Sequence, residues 1–381
     1  MTTSAAPADA RWPREATPAE LVDWDHRAVR SPGGHVYQST VWADQRSRLG
    51  WTPLYVLLDP DHPALVLTRP FPIVGGASAY VPRGPVVDPR DPVDGGEAAA
   101  TRMARLASWL VERGVAVVAT DAEVPASDAA YGTTLRRAGF HPIPEIQPSR
   151  HRVSLDLAQD TDDSAVLAAF SKSTRQRISA AGRDRILIER HDRGGWQGND
   201  GSFEPPSESS DQALAAFATL LEGTGERRGF RFGPRQVFLD WWAAALDAGL
   251  LVYLDARDAD DPARSLGGLV LYRHGNRLST VHSADAPGTR DTHPGVMHLL
   301  RWRAIQLAIR EGADEMDLGG VDTGPDHAEP GEGHPMAGLY EHKRSFGARW
   351  VAMTGAHEQV LRRSRYALGR VAARLDRVVG R

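Results

Sequence analysis

Asp317-Leu-Gly-Gly-Val-Asp322, followed by Gly338-Leu-Tyr-Glu-His-Lys-Arg-Ser-Phe-Gly-Ala-Arg-Trp-Val351, is the stretch around which the rest of the chain is read. The first piece reads as a strand, and the second centres on Lys343. The chain carries only two lysines, Lys172 and Lys343, against 43 arginines. A guanidinium is planar and delocalised, whereas an ammonium is a compact point charge. A lysine kept here, in a chain that otherwise uses arginine, suits a cation aimed at one atom.

Outward from that stretch, 381 residues are too many for one ordinary core and imply about two domains. The absence of cysteine excludes disulfides, thiolate metal sites and cysteine nucleophiles. The N-terminal MTTSAAPADARWPRE lacks the apolar centre of a signal peptide, and no apolar run approaches a membrane span. A cytoplasmic protein is the expectation. The net charge of −4 gives no global field for nucleic acid. Basic patches are local, at Lys172–Arg193 and over residues 359–381, where seven arginines face the single Asp376.

In chain order, residues 1–16 read as a disordered lead, and a helix is expected from Pro18 to about Val29. A short aromatic helix follows in Tyr37–Trp51, then strands in PLYVLL, ALVLTRPF and AYVPRGPVVD. A helix at about Glu97–Arg113 stops at Gly114 before the strand VAVVATD. The Pro-rich PIPEIQPSR marks a boundary near residue 148. The second half opens with the strand HRVSLDL and a basic helix over Ser164–Arg183. It continues through two helices between about Gln212 and Ala248, three strands from Leu250 to Asp285, an apolar helix ending near Glu311, and MDLGGVD. The last helix, Glu358–Val379, has Leu361, Leu368, Val371, Leu375 and Val378 on one face.

The two halves echo each other. A helix ending Glu112-Arg113-Gly114 leads to a strand ending at Asp121, and one ending Arg310-Glu311-Gly312 leads to the strand carrying Asp317. Strands, helix, strand and an aromatic-glycine turn resemble the order that an acyltransferase of the GNAT type shows at its C-terminal end. The expected class is α/β (α+β), with two tandem GNAT-like domains and mixed central sheets.

With Tyr37-Gln38-Ser39 and Trp42, Tyr80-Val-Pro-Arg-Gly-Pro85, Phe170-Ser-Lys-Ser-Thr-Arg175, Arg228-Gly-Phe230, and the two stretches quoted first, the chain resembles the FemXAB family in that family's own order. These are peptidoglycan interpeptide-bridge enzymes that take their amino acid from aminoacyl-tRNA. No heptad pattern lies between residues 191 and 230, so the resemblance is to the short form without a coiled-coil arm. It implies a first domain of residues 17–148 plus 358–381 that binds the acceptor, and a catalytic second domain of residues 149–357 that binds the aminoacyl-tRNA. The implied reaction is attack of a stem-peptide amine on the tRNA ester. Aminoacyl-tRNA and a nucleotide- or lipid-linked cell-wall precursor are the partners. Peripheral contact with the inner membrane face is allowed, no stable protein partner is expected, and no cofactor is needed.

The same resemblance puts Lys343 at the developing oxyanion, where a fixed cation gives the largest rate gain. Asp322 and Asp317 are candidate bases, each equally readable as a turn cap. Arg46, Arg83 and Arg228 are candidates for the acceptor's diphosphate, because arginine forks suit phosphate oxygens. Tyr272, Ser283 and Asp285 are placed along the peptide channel. His342 stands where the family often has an aromatic, which leaves stacking, proton relay and plain packing open.

Other readings stay on the table. A tRNA-dependent enzyme could act instead on a small peptide or nucleoside metabolite. A CoA-dependent GNAT enzyme would need free amides in Gly288–Val296, where Asp291 and Pro294 intrude. A non-catalytic RNA- or membrane-surface-binding protein would use the basic last helix but leaves the Lys343 stretch without a role. No nucleotide-binding GK[ST] loop and no metal-ligand histidine spacing occur.

Overall fold

The computed structural model describes residues 12–72, 75–88, 95–147, 150–157, 162–196, 198, 201–228, 233–324 and 327–379. The chain forms two compact units, Met1–Arg150 with Ala352–Arg381, and His151–Val351. The return to the first unit thus begins at Ala352 rather than at 358.

The strands of the first unit are β1 (Arg14–Glu15), β2 (Thr52–Leu57), β3 (Pro63–Pro70), β4 (Ala77–Val81), β5 (Val115–Thr120) and β6 (His141–Pro142). Those of the second are β7 (His151–Asp156), β8 (Ile186–His191), β9 (Leu251–Asp258), β10 (Asp261–His274), β11 (Arg277–Asp285), β12 (Glu315–Asp317) and β13 (Arg349–Ala352). Finally β14 (His357–Val360) joins the first sheet. The sheet orders are β1-β2-β3-β4-β5-β14-β6 and β13-β7-β12-β11-β10-β9-β8.

Each sheet has the same device at its centre. An antiparallel run (β2-β3-β4, or β9-β10-β11) gives way to one parallel pair, β4 with β5 or β11 with β12. A parallel neighbour requires a crossover, and helices Gly96–Glu112 and Val296–Arg310 supply it. The first buries Ala99, Ala100, Met103, Leu106, Ala107 and Leu110 at three- and four-residue spacing, one stripe against the sheet. The second is buried almost all round, from Val296 to Ala308, so its polar members Arg301 and His298 lie inside the protein. Two mixed sheets, each with a crossover helix, are the tandem arrangement expected from the repeat.

Three expectations need correction. The lead is not irregular to residue 16: Arg14 and Glu15 pair with Leu57 and Val56, and Thr17 caps the helix Pro18–Leu21 with a reciprocal Glu20. Residues 1–11 lie outside the described residues. The strand over DLGGVD stops at Asp317, because Gly319 takes a left-handed φ of 80° and turns the chain. Of the apolar face assigned to the last helix, Arg363–Val379, the described members are not buried by the helix. Leu361 packs on the first core, but Leu368 and Val371 are 56% and 55% exposed. That helix docks through Gly369, where a Cβ would lie 2.5 Å from the Phe71 ring, and through Arg362, whose Nη2 donates to the Val111 carbonyl at 2.8 Å. Side chains from residue 372 onward lie outside the described residues.

Gly319 allows a direct test of the turn. A Cβ there would stand 2.6 Å from the Thr280 carbonyl oxygen, on top of the cost of a left-handed φ, about 1–3 kcal/mol. Gly319→Ala is expected to lower the thermal midpoint by about 3–10 °C. Gly324→Ala, at a φ of 66° with open space around it, should cost visibly less in the same calorimetric experiment. Equal midpoints for the two variants would mean that the Thr280 contact does not constrain the turn.

Candidate active site

In the second unit, helix Ala337–Arg344 lies between the Gly319 turn and helix Val296–Arg310 and sends two neighbouring side chains in different directions. Lys343 points at the turn. Its Nζ donates to the carbonyls of Gly319 at 2.8 Å and Gly320 at 2.6 Å, and the side chain is buried. Asp317, whose Oδ1 accepts from the Gly319 amide at 2.8 Å, fixes the same turn from within. Burial pushes the Lys343 pKa well below the ordinary lysine range; Arg301 adds to this, and Asp317 opposes it.

His342 points the other way. Its Nε2 accepts from Arg301 Nε at 3.0 Å, and its Nδ1 lies 3.2 Å from His298 Nε2. The two imidazoles meet edge to face with centroids 4.4 Å apart, and Phe346 packs against both. Arg301 is 2% exposed, its Nη1 has no hydrogen-bond partner among the described residues, and burial lowers its pKa to about 10. Burial likewise lowers His342 to about 2 and His298 to about 4, with neighbouring cations adding to it.

Two cavities open beside this pair. One, of about 580 Å³, is lined by Ser171, Ser173, Thr174, Arg177, Glu341 and Ser345 among others. The second, of about 400 Å³, includes Asp285, Arg290, His293, Gly295 and Met297. Arg177, His298, His342 and Gly338 line both. The first cavity has a polar floor because Ser171 caps helix Lys172–Arg183 and Thr174 donates to Ser345 Oγ at 2.7 Å.

The sequence-derived residues of this unit scatter around the pair. His342 lines both cavities, and Lys343 lines neither. Asp285 lines the smaller one, held by Arg290 Nε at 2.5 Å. Asp322 is exposed and accepts from the Gly324 amide at 3.0 Å, the turn-capping arrangement. Tyr272 is buried, its hydroxyl accepting from Trp241 Nε1 at 2.6 Å, and lines neither cavity. Ser283 is half-buried on β11, opposite Leu269. Arg228 ends the helix Ser210–Arg228, and its side chain and the Gly229-Phe230 turn lie outside the described residues.

The first unit holds Arg46 and Arg83. The Arg46 guanidinium lies 5.2 Å over the Trp42 ring and 5.8 Å from the Trp51 ring, and Trp42 stacks on Tyr37. Arg83 has a left-handed φ of 51°; its amide donates to Asp121 Oδ1 at 2.7 Å, and Tyr80 donates to Oδ2 at 2.9 Å. Burial raises the Asp121 pKa, with Arg83 opposing. Asp121 and Tyr80 were not among the sequence-derived site residues. The signal for Asp121 was available: it is an acid directly after an apolar strand that ends a βαβ crossover, where open α/β sheets carry their sites. In the second unit His298 and Arg301 were also missed, hidden inside a strongly apolar helix.

Among the described residues no group of His, Asp or Glu is placed to hold a metal ion, and no helix is long and apolar enough to cross a membrane.

The crystal structure of FemX superposes on this chain with a TM-score of 0.73, covering 93% of this chain and 99% of that one at 18% identity. The fold is that of FemX. Residues 188–344, which include both cavities' His298 and His342, match the family described as acetyltransferase (GNAT) domain. A conserved protein of unknown function from Bacteroides thetaiotaomicron VPI-5482 is similar at a TM-score of 0.51 and 10% identity, over 91% of this chain and 98% of that one. The L-PGS of Bacillus licheniformis follows at 0.49 and 9%, over 94% and 98%. No curated protein matches the sequence.

Proposed function

We propose that this FemX-fold chain is an aminoacyltransferase that takes its acyl group from aminoacyl-tRNA and forms an amide on the amino group of a peptidoglycan precursor. The observation that carries this reading is the pair of cavities in the second unit, both lined by the Arg177 guanidinium. Arg177, His298 and His342 stand at the walls with Arg301 behind them, in the domain that matches the GNAT acyltransferases. An RNA 3′ end brings phosphates to neutralise such a site. In the step itself the acceptor amine attacks the ester carbonyl, the C–N bond forms, and the C–O bond to the terminal ribose breaks. One proton leaves the amine, and the ribose oxygen takes one up. Lys343 keeps the Gly319–Gly320 turn in place, and its third N–H is our candidate donor to the oxyanion. In the first unit Arg46 and Arg83 are the candidates for the acceptor's diphosphate.

The test is a transfer assay with a pool of radiolabelled aminoacyl-tRNAs, with and without nucleotide- and lipid-linked cell-wall precursors, and acetyl-CoA in parallel. Label passing from tRNA to the precursor supports the reading and names the donor. Label passing only from CoA overturns it in favour of an ordinary GNAT enzyme. Label passing from tRNA to a small peptide alone keeps the donor and rejects the acceptor.

A further inference from the structure

Arg301 is an expensive residue where it stands. It occupies a position between Leu300 and Trp302 on a helix buried nearly all round, and a guanidinium left without a carboxylate there costs several kcal/mol that an aliphatic side chain would not. Its one side-chain hydrogen bond among the described residues goes to His342. That bond has a fixed direction, because an arginine N–H can only donate. His342 Nε2 is therefore the acceptor, and in a neutral imidazole the proton must then sit on Nδ1. Nδ1 faces His298 Nε2 at 3.2 Å, so His298 accepts in its turn and carries its own proton on Nδ1. The His298 ring lines both cavities, and among the described residues Nδ1 makes no hydrogen bond. Phe346, packed against both rings, resists the ring flips that would undo this order.

We propose that Arg301 is a positioning residue: through His342 it locks His298 in the Nδ1–H tautomer, so that His298, beside Arg177, donates a hydrogen bond to a phosphate oxygen of the acyl donor. The inference rests on the donor-binding reading of the second unit. The lowered pKa values of both histidines agree with it, since a neutral pair is what the chain of bonds requires. Cations face His298 from Arg177 on helix Lys172–Arg183 and from Arg301 on its own helix, which leaves an anion as the fitting occupant.

Two measurements test it together. Histidine-labelled protein is examined by long-range ¹H–¹⁵N correlation, with His298 assigned by its loss in His298→Ala. Wild type should show Nδ1 protonated, Arg301→Met should populate the Nε2–H form, and Arg301→Lys, which can still donate, should restore the wild-type pattern. Removing an unpaired buried charge should leave Arg301→Met folded, and Arg301→Lys guards against the contrary. In parallel an RNA hairpin ending in CCA and coenzyme A are titrated into each protein. The ligand that binds is expected to bind about tenfold more weakly to His298→Ala and to Arg301→Met, with no further loss in the double variant. A full additional loss in the double variant would mean that Arg301 acts by charge alone and would overturn the proposal. So would a His298 protonated on Nε2 in wild type. If the hairpin binds all variants equally, the donor reading stands and this inference falls; if neither ligand binds wild type, both fall.

Discussion

Lys343→Met is expected to lower acyl transfer at least a hundredfold per folded molecule, the order found when one donor to a developing oxyanion is removed. The variant should also be less stable, at about 1–3 kcal/mol for each of the Gly319 and Gly320 carbonyls left dry. These two effects have to be separated, because a turn that sags would itself disturb the cavities next to it. Activity is therefore measured well below the melting transition and normalised to the folded fraction from near-ultraviolet circular dichroism. Lys343→Arg is the informative companion: its fork cannot place one N–H toward each of two adjacent carbonyls and also toward a third oxygen in the space a lysine fills. It should keep more of the stability than of the activity. A Lys343→Met protein that transfers normally once corrected for folding would reduce Lys343 to an anchor of the Gly319–Gly320 turn.

The sequence was informative where local rules decide structure. Helix ends at Gly114 and Gly312, the alternation of strands and crossover helices, and the echo between Glu112–Asp121 and Arg310–Asp317 all follow from capping and periodicity. It was less informative where a residue's meaning depends on what lies across the fold. Lys343 stood out by rarity alone, but nothing local shows its Nζ bound to Gly319 and Gly320. DLGGVD has an apolar strand's composition, and only the contact with Thr280 explains why Gly319 must turn the chain there. Tyr272 is read as a channel residue from its place in the hairpin; nothing local shows that its hydroxyl accepts from Trp241, thirty-one residues away in sequence. Arg301 and His298 are the clearest case. In a chain with 43 arginines one more inside an apolar helix carries no signal, and its importance comes from the absence of a carboxylate, which is a tertiary fact. Leu368 and Val371 show the converse: two members of a clean helical stripe that stand more than half exposed.

The second large effect is on stability against acid. Burial lowers four histidines of the second unit: His151, His282 and His298 to about 4, and His342 to about 2. Each keeps its neutral form when folded, and would titrate near 6.5 in the unfolded chain. Between those values the unfolded state binds protons that the folded state refuses, so stability rises with pH across the window and is lost as pH falls from about 6.5 to about 4. The slope is up to about 1.4 kcal/mol per pH unit for each histidine. Asp255 works against this. Burial raises it to about 6, so in the folded state it takes up a proton that the unfolded chain would still lack, and one histidine's share of the slope is offset. Three histidines' worth remains, enough to consume most of a typical domain's 5–15 kcal/mol within roughly two pH units. The second unit is therefore expected to open near pH 5. Hydrogen exchange read separately on β9 to β11 and on β2 to β4 between pH 7 and 4.5 measures it, the former losing protection steeply. Substituting His282 by phenylalanine, which keeps a ring among Phe238, Trp242 and their neighbours, should flatten the slope by one proton. Protection of β9 to β11 that is level across this range would mean that these histidines are not held neutral, and the tautomer order assigned to His342 and His298 would lose its basis as well.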